Sequence, residues 1–114
     1  MSAGSYNITC EQGATFSRTL TVKDSNGAAR NLSSYTARMQ VRRRVSDTTT
    51  LIELTTENGR ITLNEDGEIF LSLSASLTSS ITDDGVYDLE IIASDGTVER
   101  VIEGSFTLSR EVTR

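Results

Sequence analysis

The sequence predicts an all-β chain, a small immunoglobulin-like antiparallel β-sandwich of about seven or eight strands. Three observations carry this. Apolar residues recur mostly at every second position, the pattern of half-buried strands. Asp24-Ser25-Asn26-Gly27, Glu57-Asn58-Gly59, Glu65-Asp66-Gly67 and Ser94-Asp95-Gly96 punctuate those runs, and such glycine-ended steps favour the positive φ of tight turns. No helical pattern is long enough to make a parallel crossover.

The elements follow in order. Tyr6, Ile8 and Cys10 alternate with polar residues, as do Phe16, Leu20 and Val22, where Arg18 breaks the series. Tyr35, Ala37, Met39, Val41 and Val45 share one face, and Arg43 falls on it too. Ile61 and Leu63, then Ile69, Leu71 and Leu73, then Tyr87, Leu89, Ile91 and Ala93 continue the period. Val98, Ile102, Phe106 and Leu108 close it. Glu65-Asp66-Gly67 and Ser94–Thr97 read as hairpin turns. Between Ser74 and Ile81 the period changes, with Leu77 and Ile81 four apart. This suits a short helical turn near 75–81, capped by Ser74 or Ser76, that carries the chain from one sheet to the other.

A length of 114 residues fits one domain, 1–114, with 1–5 and 112–114 flexible or ordered by a partner. Aromatic residues are 5% of the chain, so the core is aliphatic or is completed by a neighbouring subunit. The lone cysteine, Cys10, cannot form an intrachain disulfide. No stretch reaches the roughly 18 apolar residues of a membrane helix. MSAGSYNITCEQG lacks a basic-then-apolar signal pattern, so the expected site of synthesis is a reducing cytoplasm. Asn7-Ile8-Thr9 and Asn31-Leu32-Ser33 match the glycosylation acceptor pattern, and without a secretory route they are expected to stay unmodified.

Visible chemistry is sparse. The chain has no histidine, which removes the commonest general base and metal ligand. It has no tryptophan, which weakens a sugar- or base-stacking platform. The carboxylates of Asp83–Asp88 and Asn64–Glu68 lack the spacing of a calcium loop. Cys10 has no histidine partner, and no G-x-S-x-G elbow or phosphate-binding glycine motif occurs. The expectation is no enzyme activity, no cofactor and no metal.

The distinctive feature is YTARMQVRRR, residues 35–44, a basic segment in a chain of net charge −5. With Tyr35, Ala37, Met39 and Val41 inward, Arg38, Gln40, Arg42 and Arg44 form one outward row, spaced about 6.6–6.8 Å. Residues 83–103 carry Asp83, Asp84, Asp88, Glu90, Asp95, Glu99 and Glu103 against Arg100. Three arrangements would use this polarity. The two strands pair within one sheet; the basic row meets an acidic patch of another subunit; or it meets nucleic acid. The last is disfavoured by the net charge and the short ridge. Candidate protein-interface residues are Arg38, Gln40, Arg42, Arg43 and Arg44, with Arg110 and Arg114 from the polar C-terminal stretch.

EQGATFSRTLTVKDSNGAARNLSSYTARMQVRRR resembles the opening of small β-sandwich domains in tailed-bacteriophage structural proteins. The corresponding residues are Gly13, Phe16, Asp24, Gly27, Asn31, Leu32, Ser33 and Tyr35. The later VYDLE, DG, RVIEG and terminal EVTR extend the likeness, which runs from about Ile8 to Arg114 and includes the N-terminal domains of baseplate upper proteins. The resemblance implies a non-enzymatic virion subunit of the tail, baseplate or a fibre adaptor. It would be assembled in the host cytoplasm and partnered by other virion proteins and copies of itself, with no nucleic acid and no membrane. It brings no catalytic or ligand residues. Capsid decoration is the nearest alternative, and a carbohydrate-binding or adhesion module, which needs exposed aromatics or a calcium cage, is the alternative of another class. Leu32 and Tyr35 are expected to plug the base of the sandwich, Tyr87 and Leu89 to lie in the core, and Gly104 to permit a close approach.

Overall fold

The computed structural model describes residues 4–113. The elements in chain order are β1 (Gly4–Ser5), β2 (Ile8–Glu11), β3 (Phe16–Thr21), β4 (Thr36–Arg42), β5 (Ile52–Thr55), β6 (Ile61–Leu63), β7 (Glu68–Leu73), α1 (Ala75–Ser79), β8 (Gly85–Ile92) and β9 (Val98–Ser109). They make two packed sheets. The larger has the order β1-β9-β8-β4-β5, with β2 also on β9, and the smaller has the order β3-β7-β6. The all-β sandwich read from the alternation is the observed fold, and α1 carries the chain from β7 in the smaller sheet to β8 in the larger one.

Two details correct the sequence reading and a third completes it. First, β1 and β2 run parallel to β9, whereas every other ladder is antiparallel. Their partner is the last strand of the chain, so no hairpin dictates their direction. Second, β5 was absent from the expected strands, although Ile52 and Leu54 alternate about Glu53 and both are buried. Together with the two-residue β1 it brings the strands to nine among the described residues. Third, the two glycine turns that had no hairpin assigned find their places. Asp24–Gly27 closes a loop over the isolated Lys23–Ala29 bridge, and Glu57–Gly59 leads from β5 in one sheet to β6 in the other.

The other two turns behave as expected. Glu65–Gly67 joins β6 to β7, and Ser94–Gly96 joins β8 to β9. At the second, Ala93 N–H bonds to Thr97 O at 2.8 Å, and Asp95 Oδ1 accepts Thr97 N–H at 2.9 Å. That bond holds the Asp95 carboxyl below the usual carboxylate range. Ser74 caps α1, its Oγ accepting Leu77 N–H at 3.3 Å. Thr78, fully buried, accepts Gly13 N–H at 3.0 Å and places its hydroxyl 2.9 Å from Ala14 O, so the helix is tied to the turn between β2 and β3.

Alternation sorts the core. Ala37, Met39 and Val41 of β4 meet Ile91, Leu89 and Tyr87 of β8 in register, all buried. Ile61, Ile69, Leu71 and Leu73 supply the smaller sheet. Leu32 is fully buried, and Tyr35 packs partly against the core. Parity fails twice. Along β9 the register slips, pairing Leu89 with Ile102 and Glu90 with Arg100. Val101 is the extra residue of a bulge, so Val98 lands on the opposite face from Ile102 and is exposed. Beyond β4 the chain leaves the sheet, so Val45 is 88% exposed rather than inward.

Gly104 pairs with Tyr87 across the β8–β9 ladder. A Cβ built there would lie 2.2 Å from Tyr6 O and 2.8 Å from Tyr6 C. The stretch joining β1 to β2 therefore lies directly on the glycine. Tyr87 donates its hydroxyl proton to that same Tyr6 carbonyl at 2.5 Å, and Tyr6 N–H bonds to Glu103 O at 3.0 Å. Burial pushes the Tyr87 phenol well above its ordinary range, and burial also raises the Cys10 thiol.

Gly104→Ala is expected to destabilise the chain by about 2–4 kcal/mol, since a backbone carbonyl must move. Gly27→Ala meets nothing within 4 Å but has φ +82°, and is expected to cost about 1 kcal/mol. Urea denaturation of both variants checks the order. The raised Cys10 and Tyr87 groups stay neutral in the folded chain after their unfolded counterparts begin to ionise, near 9.0 and 10.0 respectively. Their contribution is therefore complete below about pH 9 and lost as pH rises above it. Alkaline denaturation midpoints should show this fall, and Tyr87→Phe with Cys10→Ala should flatten it.

Candidate protein interface

Arg38, Gln40 and Arg42 project from the outer face of β4, opposite the buried Ala37, Met39 and Val41. Their cross-strand neighbours on β8 are Glu90, Asp88 and Val86. The basic strand and the acidic hairpin are thus adjacent in one sheet, the first of the three arrangements. Arg38 Nε meets Glu90 Oε1 at 2.7 Å. Arg100, on β9, bridges Asp88 at 3.4 Å and Glu103 at 3.4 Å. Gln40 donates to Glu53 Oε2 at 2.6 Å and accepts from Arg42 at 2.7 Å. The result is a set of stripes: acidic on β5 and β8, basic on β4, mixed on β9. These pairs are exposed or half-exposed, so each is worth only about 0.2–1 kcal/mol.

The outward row ends at Arg42, and Arg44 is not in it. β4 stops where Arg42 O closes on β8, 2.4 Å from a Cβ built on Gly85. Arg43 and Arg44 lie in the loop between β4 and β5, so Arg43 does not share the inner face. That loop is braced from below: Arg42 donates to Asp47 O at 2.8 Å, Arg43 Nε sits 3.4 Å from Asp47 Oδ2, and Asp47 N–H bonds to Arg44 O at 3.0 Å. The apex, Arg44-Val45, is held out into solvent. Among the described residues Arg44 makes no ion pair or side-chain hydrogen bond.

Between β4, β8 and β9 the outer surface is dished, with an open hollow of about 560 Å³ lined by Arg38, Arg42, Val86, Asp88, Arg100 and Gly104, and reached by Val45. Sequence reasoning missed Val86 and Arg100. Their places follow from the ladders, which set Arg100 opposite Glu90 and diagonal to Asp88, and Val86 opposite Arg42. Arg110 stands apart from this face, donating to Thr82 O at 2.9 Å. Glu111 N–H bonds to Gln12 Oε1 at 3.1 Å, so the start of the C-terminal stretch is held on its own chain. Arg114 lies outside the described residues.

Elsewhere the polar groups serve the fold. Arg30 forms an ion pair with Glu99 at 3.0 Å and donates to Tyr35 Oη at 3.3 Å, which holds its guanidinium pKa high. Asn31 Oδ1 accepts from Ser33 N–H at 2.9 Å, shaping the bend that buries Leu32. Among the described residues no three of His, Cys, Asp and Glu come together, and the exposed large apolar side chains are Tyr6, Val45, Val98 and Val112. No described helix is long and apolar enough to cross a membrane. No protein-family model matches the chain, and no curated protein matches it.

A double-mutant cycle on Arg38→Ala and Glu90→Ala should give a coupling of about 0.2–1 kcal/mol that shrinks in high salt. Chemical denaturation at low and high ionic strength measures it.

Proposed function

We propose that this chain is a non-enzymatic structural component of a tailed-phage virion, a tail, baseplate or fibre-adaptor subunit that acts by protein–protein assembly. Its partners are other virion proteins and copies of itself. The observation that carries the reading is the uncovered outer face of the larger sheet. The smaller sheet packs on the inner side, while the other side presents charge stripes, a hollow and an outward Arg44-Val45 apex. The phage assignment rests on the sequence resemblance, whose positions take structural roles compatible with it: Asn31 and Ser33 form the bend, and Leu32 is buried.

The mechanism is registration rather than adhesion by charge. Patterned charge on a contact face sets orientation and rejects wrong partners more than it supplies affinity. Shape complementarity at the hollow and the apolar tip of Val45 would supply the rest. A capsid decoration protein would use the same face in the same way.

Arg44→Glu is the test substitution, because Arg42 also braces its own loop through Asp47. The variant should fold like the parent and lose the salt-sensitive part of its association. Light scattering at low and high salt measures this. A parent mass that is monomeric at every salt, with no loss on Arg44→Glu in a mixture of virion proteins, contradicts the reading.

A further inference from the structure

A strand at the border of a sheet presents unpaired N–H and C=O groups, a template for pairing with another chain. β5 is such a strand: it pairs with β4 and has no strand on its other side among the described residues. Thr56 N–H bonds to Ala37 O at 3.1 Å, at the end of the β4–β5 ladder. Peptide groups alternate sides along a strand. Glu53 and Thr55 therefore turn theirs to the open side.

Those groups are covered by side chains. Asn58 Oδ1 accepts Thr55 N–H at 3.0 Å, and Asn58 Nδ2 donates to Glu53 O at 3.2 Å. Arg60 donates to the same carbonyl at 2.8 Å. One carboxamide thus offers an acceptor and a donor, as a peptide group of a neighbouring strand does. It is itself fixed: Asn58 N–H bonds to Thr55 Oγ1 at 2.9 Å, and Asn58 Oδ1 also takes Arg60 N–H at 3.1 Å. Gly59, at φ +78°, turns the chain back so that both side chains reach the border.

We propose that the β5 border is a strand-docking surface sealed by Asn58 and Arg60, and that the occupant they exclude is β5 of a second copy. The register identifies the occupant. An antiparallel two-fold pairing centred on Leu54 sets Glu53 of one copy against Thr55 of the other, where the outward groups exchange both hydrogen bonds. In that register the two Glu53 carboxylates are not directly opposed, which would be unfavourable. Gln40 also draws the Glu53 carboxylate back toward β4 at 2.6 Å. The seal leaves face-on contact as the route for association on this side of the molecule. This inference stands independently of the phage reading.

The test is the double variant Asn58→Ala with Arg60→Ala, followed by light scattering across a concentration series and by amide exchange. In dilute solution the Thr55 amide should exchange roughly tenfold faster than in the parent, the effect of one lost hydrogen bond. As concentration rises the mass should climb toward twice the monomer and Thr55 should regain protection. This should hold in high salt as well, since backbone pairing is not a screened ion pair; association through the charged face would instead fall with salt. A double variant whose β8 amides remain protected, yet whose mass tracks the parent at every concentration, overturns the proposal. If that variant does not fold, Asn58→Ala alone, which keeps Arg60 on the Glu53 carbonyl but frees the Thr55 amide, is judged by the same two outcomes.

Discussion

The molecule is organised by the absence of a side chain at Gly104. There the backbone at Tyr6 lies against β9, where a side chain would collide with it, and the contact fixes much else. It lets β1 and β2 dock in parallel on the two sides of that point. It gives the buried Tyr87 hydroxyl an acceptor, Tyr6 O, without which a polar group would be stranded at a cost of about 1–3 kcal/mol. It also brings Ile8 and Cys10 into the core beside Phe106 and Leu108. β9 is therefore flanked on both sides between Ile102 and Phe106, by β8 and by the β1–β2 stretch, and the larger sheet gains its asymmetry.

That asymmetry separates the two faces of the larger sheet. The inner face is spent on Met39, Leu54, Leu89 and their neighbours, packed against the smaller sheet. The outer face keeps mostly polar residues, with Val86 among them, and no second layer of described residues covers it. The Arg38–Glu90 and Arg100–Asp88 pairs hold the side chains in place more than they hold the fold together, given the small worth of exposed ion pairs. The same surface can therefore tolerate charge changes without unfolding, which is the property a recognition surface needs. The one cation on this side left without a partner among the described residues, Arg44, sits on a loop that its neighbour Arg42 braces.

Much of the fold was legible because the period-two pattern is a direct consequence of half-burial. Tyr87, Leu89, Ile91 and the β4 residues Ala37, Met39 and Val41 all went inward as alternation requires. Ser74 was readable as a cap because its hydroxyl precedes a four-residue apolar spacing. The misreadings share one cause: parity holds only within an unbroken strand. Val98 was misplaced by the bulge at Val101, and Arg43, Arg44 and Val45 by the end of β4 at Arg42. β5 was overlooked although Ile52 and Leu54 alternate, because four residues between polar stretches give a short signal. The parallel docking of β1 and β2 could not be read at all, since it depends on a contact between residues about a hundred positions apart. Of the interface, opposite charge on two strands was visible, but their adjacency and the contribution of Arg100 and Val86 needed the register.

The most direct measurement of the central claim, that the outer face of the larger sheet is the contact surface, is a backbone NMR titration against concentration at low salt. The account predicts shifts concentrated at Arg38, Gln40, Val86, Asp88 and Arg100 and at the Arg44-Val45 apex, reversed by added salt. Core amides such as Leu54 and Leu89 should stay in place. Shifts confined to β3 and β7, or a spectrum unchanged by concentration and by added virion proteins, would contradict it.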